Sequence, residues 1–232
     1  MPPGSYGLPV RRKADGSVFL LTAAHVVGSL SWAHGLDRDD VRLATKSGVP
    51  GSGDPAIGHV HLSHPDEPCD EVQIDASLIT PAQSVVLNDV IRGGPLSGRP
   101  RDVEATALDD NPVIVYKRGI RDPALTAGYL DPFSVSVVLE TLQPDGTRIP
   151  RTYPRTFLVL GDGSPFAKPG DSGSIVVDED DCVVGMLVGL LPDKDDPLSI
   201  NENTPAVVVS IIDITTILGL QLLGPDRPCV AV

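Results

Sequence analysis

Short runs of β-branched and aliphatic residues recur along this chain, and residues typical of turns separate them. Several runs alternate apolar and polar residues, as at Val135, Val137 and Leu139, which is typical of a half-buried strand. With 23 Gly and 23 Pro to form turns, the pattern predicts an all-β protein with very little helix. The clearest predicted strands are Ser17–Ala24, Val113–Arg118, Ser134–Thr141, Thr156–Leu160, Ser174–Val177, Cys182–Leu190 and Ala206–Ile212.

A helical pattern is present only near the end of the chain. Asp213 is the expected N-cap, and Gly224 with Pro225 is the expected stop. The apolar residues between them recur at a spacing of three to four, which predicts one short C-terminal helix. These residues are Ile214, Ile217, Leu218 and Leu222.

The composition changes in the middle of the chain, where Gly93–Asn111 is rich in Gly, Pro, Asp and Arg. A length of 232 residues is enough for two small packed β domains. We therefore expect a linker in this stretch, with one β half in residues 1–105 and the other in residues 106–232.

The charge excludes several classes of partner. With 31 acidic and 18 basic residues the net charge is −13, which repels nucleic acid and anionic membranes.

No apolar run is long enough to span a bilayer, and the first residues lack the pattern of a signal peptide. Cys69, Cys182 and Cys229 are few and widely spaced, so we expect reduced thiols and a cytoplasmic location.

Three short motifs carry the candidate chemistry, and their order along the chain is fixed. They are Leu-Thr-Ala-Ala-His ending at His25, Ile-Asp-Ala-Ser around Asp75, and Gly-Asp-Ser-Gly-Ser around Ser172. A serine hydroxyl is a poor nucleophile near neutral pH and needs a base, which in turn needs a group to orient it. The glycines beside Ser172 allow positive φ angles, so the N–H groups of Gly170 and Ser172 are the candidate oxyanion hole.

Together the motifs resemble those of the chymotrypsin-like (trypsin-like) serine proteases, in which His, Asp and Ser follow in this order. A fourth segment, Lys117-Arg-Gly119 followed by Leu125-Thr126-Ala-Gly128, is similar to the start of the second barrel in microbial and HtrA-like members. The cysteine that commonly follows the family's histidine is Val26 here, and the family's Ile-Val-Gly-Gly start is missing.

The resemblance implies two Greek-key six-stranded β-barrels, with His25 and Asp75 in the first and Ser172 in the second. It implies a serine endopeptidase that needs no cofactor and acts on protein or peptide substrates. Phe166 lies where family members place the residue at the base of the specificity pocket, which favours a small or apolar substrate side chain. The strand residues Val188, Gly189 and Leu190 would line the same binding region.

Other interpretations of the motifs stay open. The chain is alternatively a weakly active or inactive binding module on a protease fold, or an esterase-like hydrolase on that fold. The residues His59, His61, His64, Asp66 and Cys69 are a candidate zinc site, although a histidine-rich loop without metal fits them better. The acidic clusters Asp178–Asp181 and Asp193–Asp196 lack the spacing of a calcium loop and are predicted to be solvated turns.

Overall fold

The computed structural model describes residues 6–27, 40–42, 56–63, 74–81, 91–92, 96–106, 112–119, 124–142 and 148–224. Within these ranges the chain is mostly β, as its sequence predicts, with two short α-helices, α1 (Val103–Thr106) and α2 (Ile211–Ile217). The strands are β1 (Tyr6–Arg12), β2 (Val18–Ala23), β3 (Asp40–Arg42), β4 (Ala56–Ser63), β5 (Ala76–Pro81), β6 (Val113–Lys117), β7 (Thr126–Leu130), β8 (Val135–Leu142), β9 (Arg148–Gly161), β10 (Ile175–Val177), β11 (Val183–Leu190), β12 (Ala206–Ser210) and β13 (Leu220–Leu222).

The first sheet has six strands in the order β13-β1-β2-β5-β4-β3. Its antiparallel neighbours β2 and β5 pair Leu21 with Leu78 and Ala23 with Ala76. Because β2 is buried on both faces after its first residue, its sequence is almost continuously apolar. This pairing brings the end of β2 beside the start of β5.

The second sheet contains a closed ring of six strands and one additional strand. Its order is β12-β11-β10-β6-β7-β9-β8, and a further pairing of β12 with β9 closes the ring. Strand β9 is 14 residues long, so its second half completes the ring while its first half pairs with β8. The β8–β9 hairpin therefore extends beyond the predicted six-stranded barrel.

The C-terminal helix starts earlier and is shorter than its sequence predicts. Ser210 is the N-cap, since its hydroxyl accepts a hydrogen bond from the Ile212 N–H at 3.2 Å. The expected cap, Asp213, lies in the first turn instead, 3.4 Å from a guanidinium nitrogen of Arg155. Gly219, with φ of +61°, follows the helix, and the chain continues as β13, which pairs with β1.

The predicted linker packs against the second sheet where it is described. The Ser97 N–H donates to the Asp181 carbonyl at 3.0 Å and the Arg101 N–H to the Val183 carbonyl at 2.7 Å. The Arg101 side chain also forms a buried ion pair with Asp178 at 3.5 Å. The domain boundary at residues 105 and 106 stays a prediction.

One apolar core joins the two sheets. It contains Leu21 and Leu78 of the first sheet together with Met186 and Val207 of the second. A smaller core fills the second sheet and includes Val115 and Phe166. The two sheets therefore pack against each other through this shared core.

Cys182 is disulfide-bonded, and its partner is Cys69 or Cys229, both outside the described ranges. The expectation of reduced thiols is therefore wrong for this residue, because the pattern of cysteines in a sequence does not reveal which ones the fold brings together. Among the helices described, none is long and apolar enough to cross a membrane.

Candidate active site

Two hydrogen bonds join His25 to Asp75, 50 residues later in the sequence, and a third joins the neighbouring Ala24 to Asp75. The Ala24 N–H donates to the Asp75 carbonyl at 2.8 Å, and the His25 N–H donates to Asp75 Oδ1 at 3.0 Å. The imidazole Nδ1 lies 2.5 Å from Asp75 Oδ2. The pairing of β2 with β5 fixes this arrangement, since both residues lie where these strands meet.

Asp75 adopts a backbone conformation that few residues tolerate. Its φ is +43°, in the left-handed region that Asp and Asn occupy more readily than other non-glycine residues. Its side chain is 2% exposed, whereas that of His25 is 21% exposed. The carboxylate is therefore screened from water while the imidazole reaches the surface.

The electrostatic surroundings favour a protonated imidazole. Burial lowers the pKa of His25, but the charge of Asp75 and the hydrogen bond to its carboxylate raise it by more. The charge of Arg151 lowers it again, and the net result is a pKa above the ordinary value of 6.5. The imidazole is thus adapted to accept a proton beside a carboxylate.

Ser172 lies in a tight turn directly before β10. Gly170 and Gly173 on either side have φ of +101° and +90°, which explains the glycines of the motif. The N–H groups of Asp171, Gly173 and Ser174 donate to carbonyls of Lys168, Leu187 and Asp171. Within the described part of the chain, neither the N–H of Gly170 nor that of Ser172 donates a bond of this kind.

A cavity of about 520 Å³ opens beside His25 and Asp75. One wall is the β8–β9 hairpin, with Leu139 and Tyr153, and the other is the end of β11, with Val188, Gly189 and Leu190. The hairpin approaches Gly189 closely, because a Cβ there would lie 2.7 Å from Leu139 Cδ1. Leu187 precedes these residues on β11 and is hydrogen-bonded to the turn that contains Ser172. Its carbonyl accepts from the Gly173 N–H, and its N–H donates to the Ser174 carbonyl.

The sequence-predicted residues fall into two groups around this cavity. Val188, Gly189 and Leu190 line it together with His25 and Asp75, whereas Gly170, Ser172 and Phe166 do not. Phe166 is 1% exposed and its ring lies 5.6 Å from the Lys117 ammonium, in the smaller core. Its role at the base of a specificity pocket stays a prediction.

Two features of the site were not predicted. Leu139 belongs to a predicted alternating strand, but nothing in the sequence places the hairpin beside His25. Lys117 was identified only as part of a motif, yet its ammonium lies 2.9 Å from the carboxylate of Asp171, next to Ser172. The alternation of Val113, Val115 and Lys117 in β6 was an available signal, since Val115 and Lys117 are both fully buried.

No metal-binding cluster of His, Cys, Asp or Glu occurs among the side chains that the structure describes. The acidic residues Asp178 and Asp193 instead accept hydrogen bonds from nearby backbone N–H groups, as turn residues do. The prediction of a solvated turn is wrong for Asp178, which is 3% exposed because it pairs with the buried Arg101. For the zinc candidates, His64, Asp66 and Cys69 lie outside the described ranges, and His59 and His61 are described only as backbone of β4.

Comparison with known proteins identifies the fold. No family model and no curated protein matches this sequence. A solved structure of a glutamic acid-specific serine protease matches at 14% identity and a TM-score of 0.55, covering 95% of this chain and 93% of that one. The Rv3671c protease from M. tuberculosis matches at 14% identity, with 99% and 85% coverage and a TM-score of 0.44. Deg5 matches at 18% identity, with 85% and 75% coverage and a TM-score of 0.44. The match to the glutamic acid-specific serine protease, with a TM-score above 0.5 over nearly the whole of both chains, shows that this chain has the all-β chymotrypsin-like fold.

Proposed function

We propose that this protein is a serine endopeptidase in which Ser172 is the nucleophile, His25 the general base and Asp75 the orienting acid. The observation that carries the proposal is the 2.5 Å contact between His25 Nδ1 and Asp75 Oδ2 beside an open cavity. A buried carboxylate on Nδ1 keeps the neutral imidazole in the tautomer whose Nε2 is basic. That is the tautomer a serine nucleophile needs.

Each residue has one role in the proposed reaction. Ser172 Oγ attacks the substrate carbonyl while His25 Nε2 accepts its proton, and Asp75 stabilises the imidazolium. The imidazolium then donates that proton to the leaving amine, which separates as the peptide bond breaks. Water, deprotonated by His25, hydrolyses the ester on Ser172 and regenerates the enzyme. These steps need no cofactor.

The N–H groups of Gly170 and Ser172 form the proposed oxyanion hole. Support comes from the turn's hydrogen bonds, which occupy the neighbouring N–H groups and leave these two unengaged in the described residues. Donors fixed in this way stabilise the negative charge on the carbonyl oxygen in the transition state, and each contributes roughly 10²–10³ to turnover.

The proposed substrate is a protein or peptide whose residues before the cleaved bond occupy the cavity between β11 and the β8–β9 hairpin. Val188, Gly189 and Leu190 would contact its backbone, and Leu139 and Tyr153 would contact its side chains. A preference for a small or apolar residue at the cleaved bond stays a prediction, because Phe166 is buried in the smaller core and does not line this cavity.

A fluorophosphonate probe followed by peptide mapping tests this proposal. The expected result is one adduct per chain, on Ser172, and none in a Ser172→Ala variant with an unchanged circular-dichroism spectrum. A natively folded wild-type chain that takes no probe would indicate the inert binding module instead. Labelling with hydrolysis of activated esters but of no peptide in a broad library would indicate the esterase-like hydrolase.

A further inference from the structure

Half of the large apolar side chains that are exposed in the described residues lie together on one face of the second sheet. These four are Ile114, Leu125, Tyr129 and Leu160, each between 36% and 42% exposed. Ile114 of β6 is paired in register with Tyr129 of β7, which is paired in turn with Leu160 of β9. Paired residues share a face, so these three side chains form a row across neighbouring strands. Single exposed apolar residues are ordinary, whereas a contiguous patch indicates an interaction surface.

The patch continues along β7 through alternate residues. Ala127 and Leu125 precede Tyr129 by two and four residues, so they lie on the same outer face of the strand. The opposite face points into the barrel, since a Cβ on Gly128 would lie 2.6 Å from the ring of Phe166 in the smaller core. We define the β7 face as Ile114, Leu125, Ala127, Tyr129 and Leu160.

The β7 face lies on the far side of the barrel from the candidate active site. In the closed ring of six strands, β7 is three strands away from β11 in both directions. Strand β11 faces the first sheet, since Met186 and Val188 belong to the shared core, and its end lines the cavity beside His25. Whatever covers the β7 face therefore leaves that cavity open.

We propose that the β7 face is the contact surface of a weak two-fold symmetric dimer of this chain. In such a dimer both copies use the same surface, so every contact between two different residues occurs twice. When the two β7 strands run antiparallel across the interface, Tyr129 of each copy lies over Ala127 of the other. The small side chain of Ala127 leaves room for the ring, and this match of large with small is made twice.

Charges at the two ends of the β7 face fit the same arrangement. Arg118 comes directly after β6 and Asp131 directly after β7, and both side chains are exposed. Because β6 and β7 are antiparallel, the two residues lie at opposite ends of the face. Antiparallel docking brings Arg118 of each copy to Asp131 of the other. The two resulting pairs of opposite charge favour this register over slipped ones.

The size of the β7 face sets the expected affinity. From Leu125 to Asp131 it is about 20 Å long, and three strands with their side chains make it roughly 15 Å wide. Each copy then covers roughly 300 Å², well below the ~800 Å² per partner of a stable complex. The net charge of −13 on each copy also opposes association. We therefore expect a Kd of roughly 10–100 µM.

Sedimentation equilibrium measures this Kd, at protein concentrations from about tenfold below to tenfold above it. Tyr129→Glu should raise the Kd at least tenfold, because it places a charge in the centre of the apolar contact. The matched control is Leu198→Glu, which adds the same charge at an apolar residue that is 92% exposed and outside the β7 face. It should keep the wild-type Kd.

Two outcomes of this comparison would overturn the inference. One is a wild-type chain that stays monomeric over the whole range, or a Tyr129→Glu variant that dimerises like the wild type. The other is a monomeric wild type together with a much lower melting temperature in Tyr129→Glu than in Leu198→Glu, which would mean that another part of the same chain covers the face.

A mixing experiment tests the two-fold arrangement itself. Arg118→Glu and Asp131→Arg each turn both charge pairs into repulsive ones, so either variant alone should be monomeric where the wild type dimerises. In an equal mixture, a heterodimer of the two variants joins opposite charges at both contacts and should form with a Kd within about threefold of the wild-type value. A mixture that stays monomeric, or a variant that dimerises alone like the wild type, would contradict the proposed dimer.

Discussion

Substituting Asn for Asp75 tests the orienting acid with little change in shape. Asn also tolerates the left-handed backbone at this position, where φ is +43°, so the exchange does not strain the chain. The carboxylate now accepts two hydrogen bonds from His25, one from the backbone N–H and one at Nδ1. An amide has only one oxygen, so it can satisfy only one of them.

Each orientation of the amide damages the site. If its oxygen keeps the backbone N–H, its NH₂ group faces Nδ1 and favours the tautomer that protonates Nε2, which then cannot act as a base. If the oxygen turns to Nδ1, the partly buried His25 N–H loses its acceptor, at a cost of about 1 kcal/mol or more. In enzymes with this constellation the wrong tautomer costs roughly 10⁴ in turnover, or about 5.5 kcal/mol of transition-state stabilisation.

The pH dependence gives an independent measurement. Since the base must be neutral, wild-type activity should rise with pH through a pKa above 6.5. Asp75→Asn removes the charge that raises this pKa and leaves burial and Arg151, which both lower it. An NMR titration of the His25 imidazole should therefore show a lower pKa in the variant.

The assay is the kcat/KM of an activated peptide ester, measured from pH 5 to 9 on variants with native circular-dichroism spectra. The control is Asp131→Asn, an exposed residue whose side chain accepts a hydrogen bond from the Phe133 N–H, which an amide oxygen can also accept. If Asp75→Asn keeps more than about a tenth of wild-type activity with an unshifted profile, the assignment of Asp75 is wrong.

Three further predictions follow from single contacts. Gly119→Ala should lower the fluorophosphonate acylation rate at least tenfold, because a Cβ would lie 2.0 Å from Asp171 Oδ1; a wild-type rate would contradict this. Burial raises the pKa of Asp178, so its contribution to folding stability falls as pH rises above 3.8. The free energy of unfolding of Asp178→Asn relative to wild type should therefore increase over that range, and a pH-independent difference would count against it. Non-reducing peptide mapping should link Cys182 to Cys229 and not to Cys69. The reason is that Gly224 packs on the backbone of residues 96–98, and Ser97 is hydrogen-bonded to Asp181, the neighbour of Cys182. Cys229 is five residues after Gly224, and five residues can span roughly 17 Å.

Local patterns in the sequence predicted the elements better than their junctions. The alternating and continuous apolar runs of β2, β8 and β11 identified strands, because side-chain burial in a sheet follows the chain directly. The start of α2 was predicted wrongly, since Ser210 and Asp213 are both good caps and the contact of Asp213 with Arg155 is visible only in the fold. The prediction of a reduced thiol at Cys182 was also wrong, because the contact between two distant cysteines is visible only in the fold.

The candidate site depended on a resemblance more than on local physics. Nothing in the residues around His25 or Asp75 specifies their contact, which arises from the pairing of β2 with β5. The alternation of β6 was sufficient to place Lys117 inside the barrel, but a buried lysine is interpretable only once Asp171 is seen beside it. The β8–β9 hairpin reaches the cavity because β9 is long. The sequence did not predict this length, because the first half of β9 contains prolines and arginines that interrupt the apolar pattern of a strand.

The most direct test of the central claim is the mass of the chain during turnover of a peptide p-nitrophenyl ester. Rapid quenching should trap a transient ester on Ser172, with a burst of about one p-nitrophenol per chain followed by slower steady release. Ser172→Ala should show neither the added mass nor the burst. Turnover by the wild type without an adduct on Ser172, or a burst that persists in Ser172→Ala, would contradict the account.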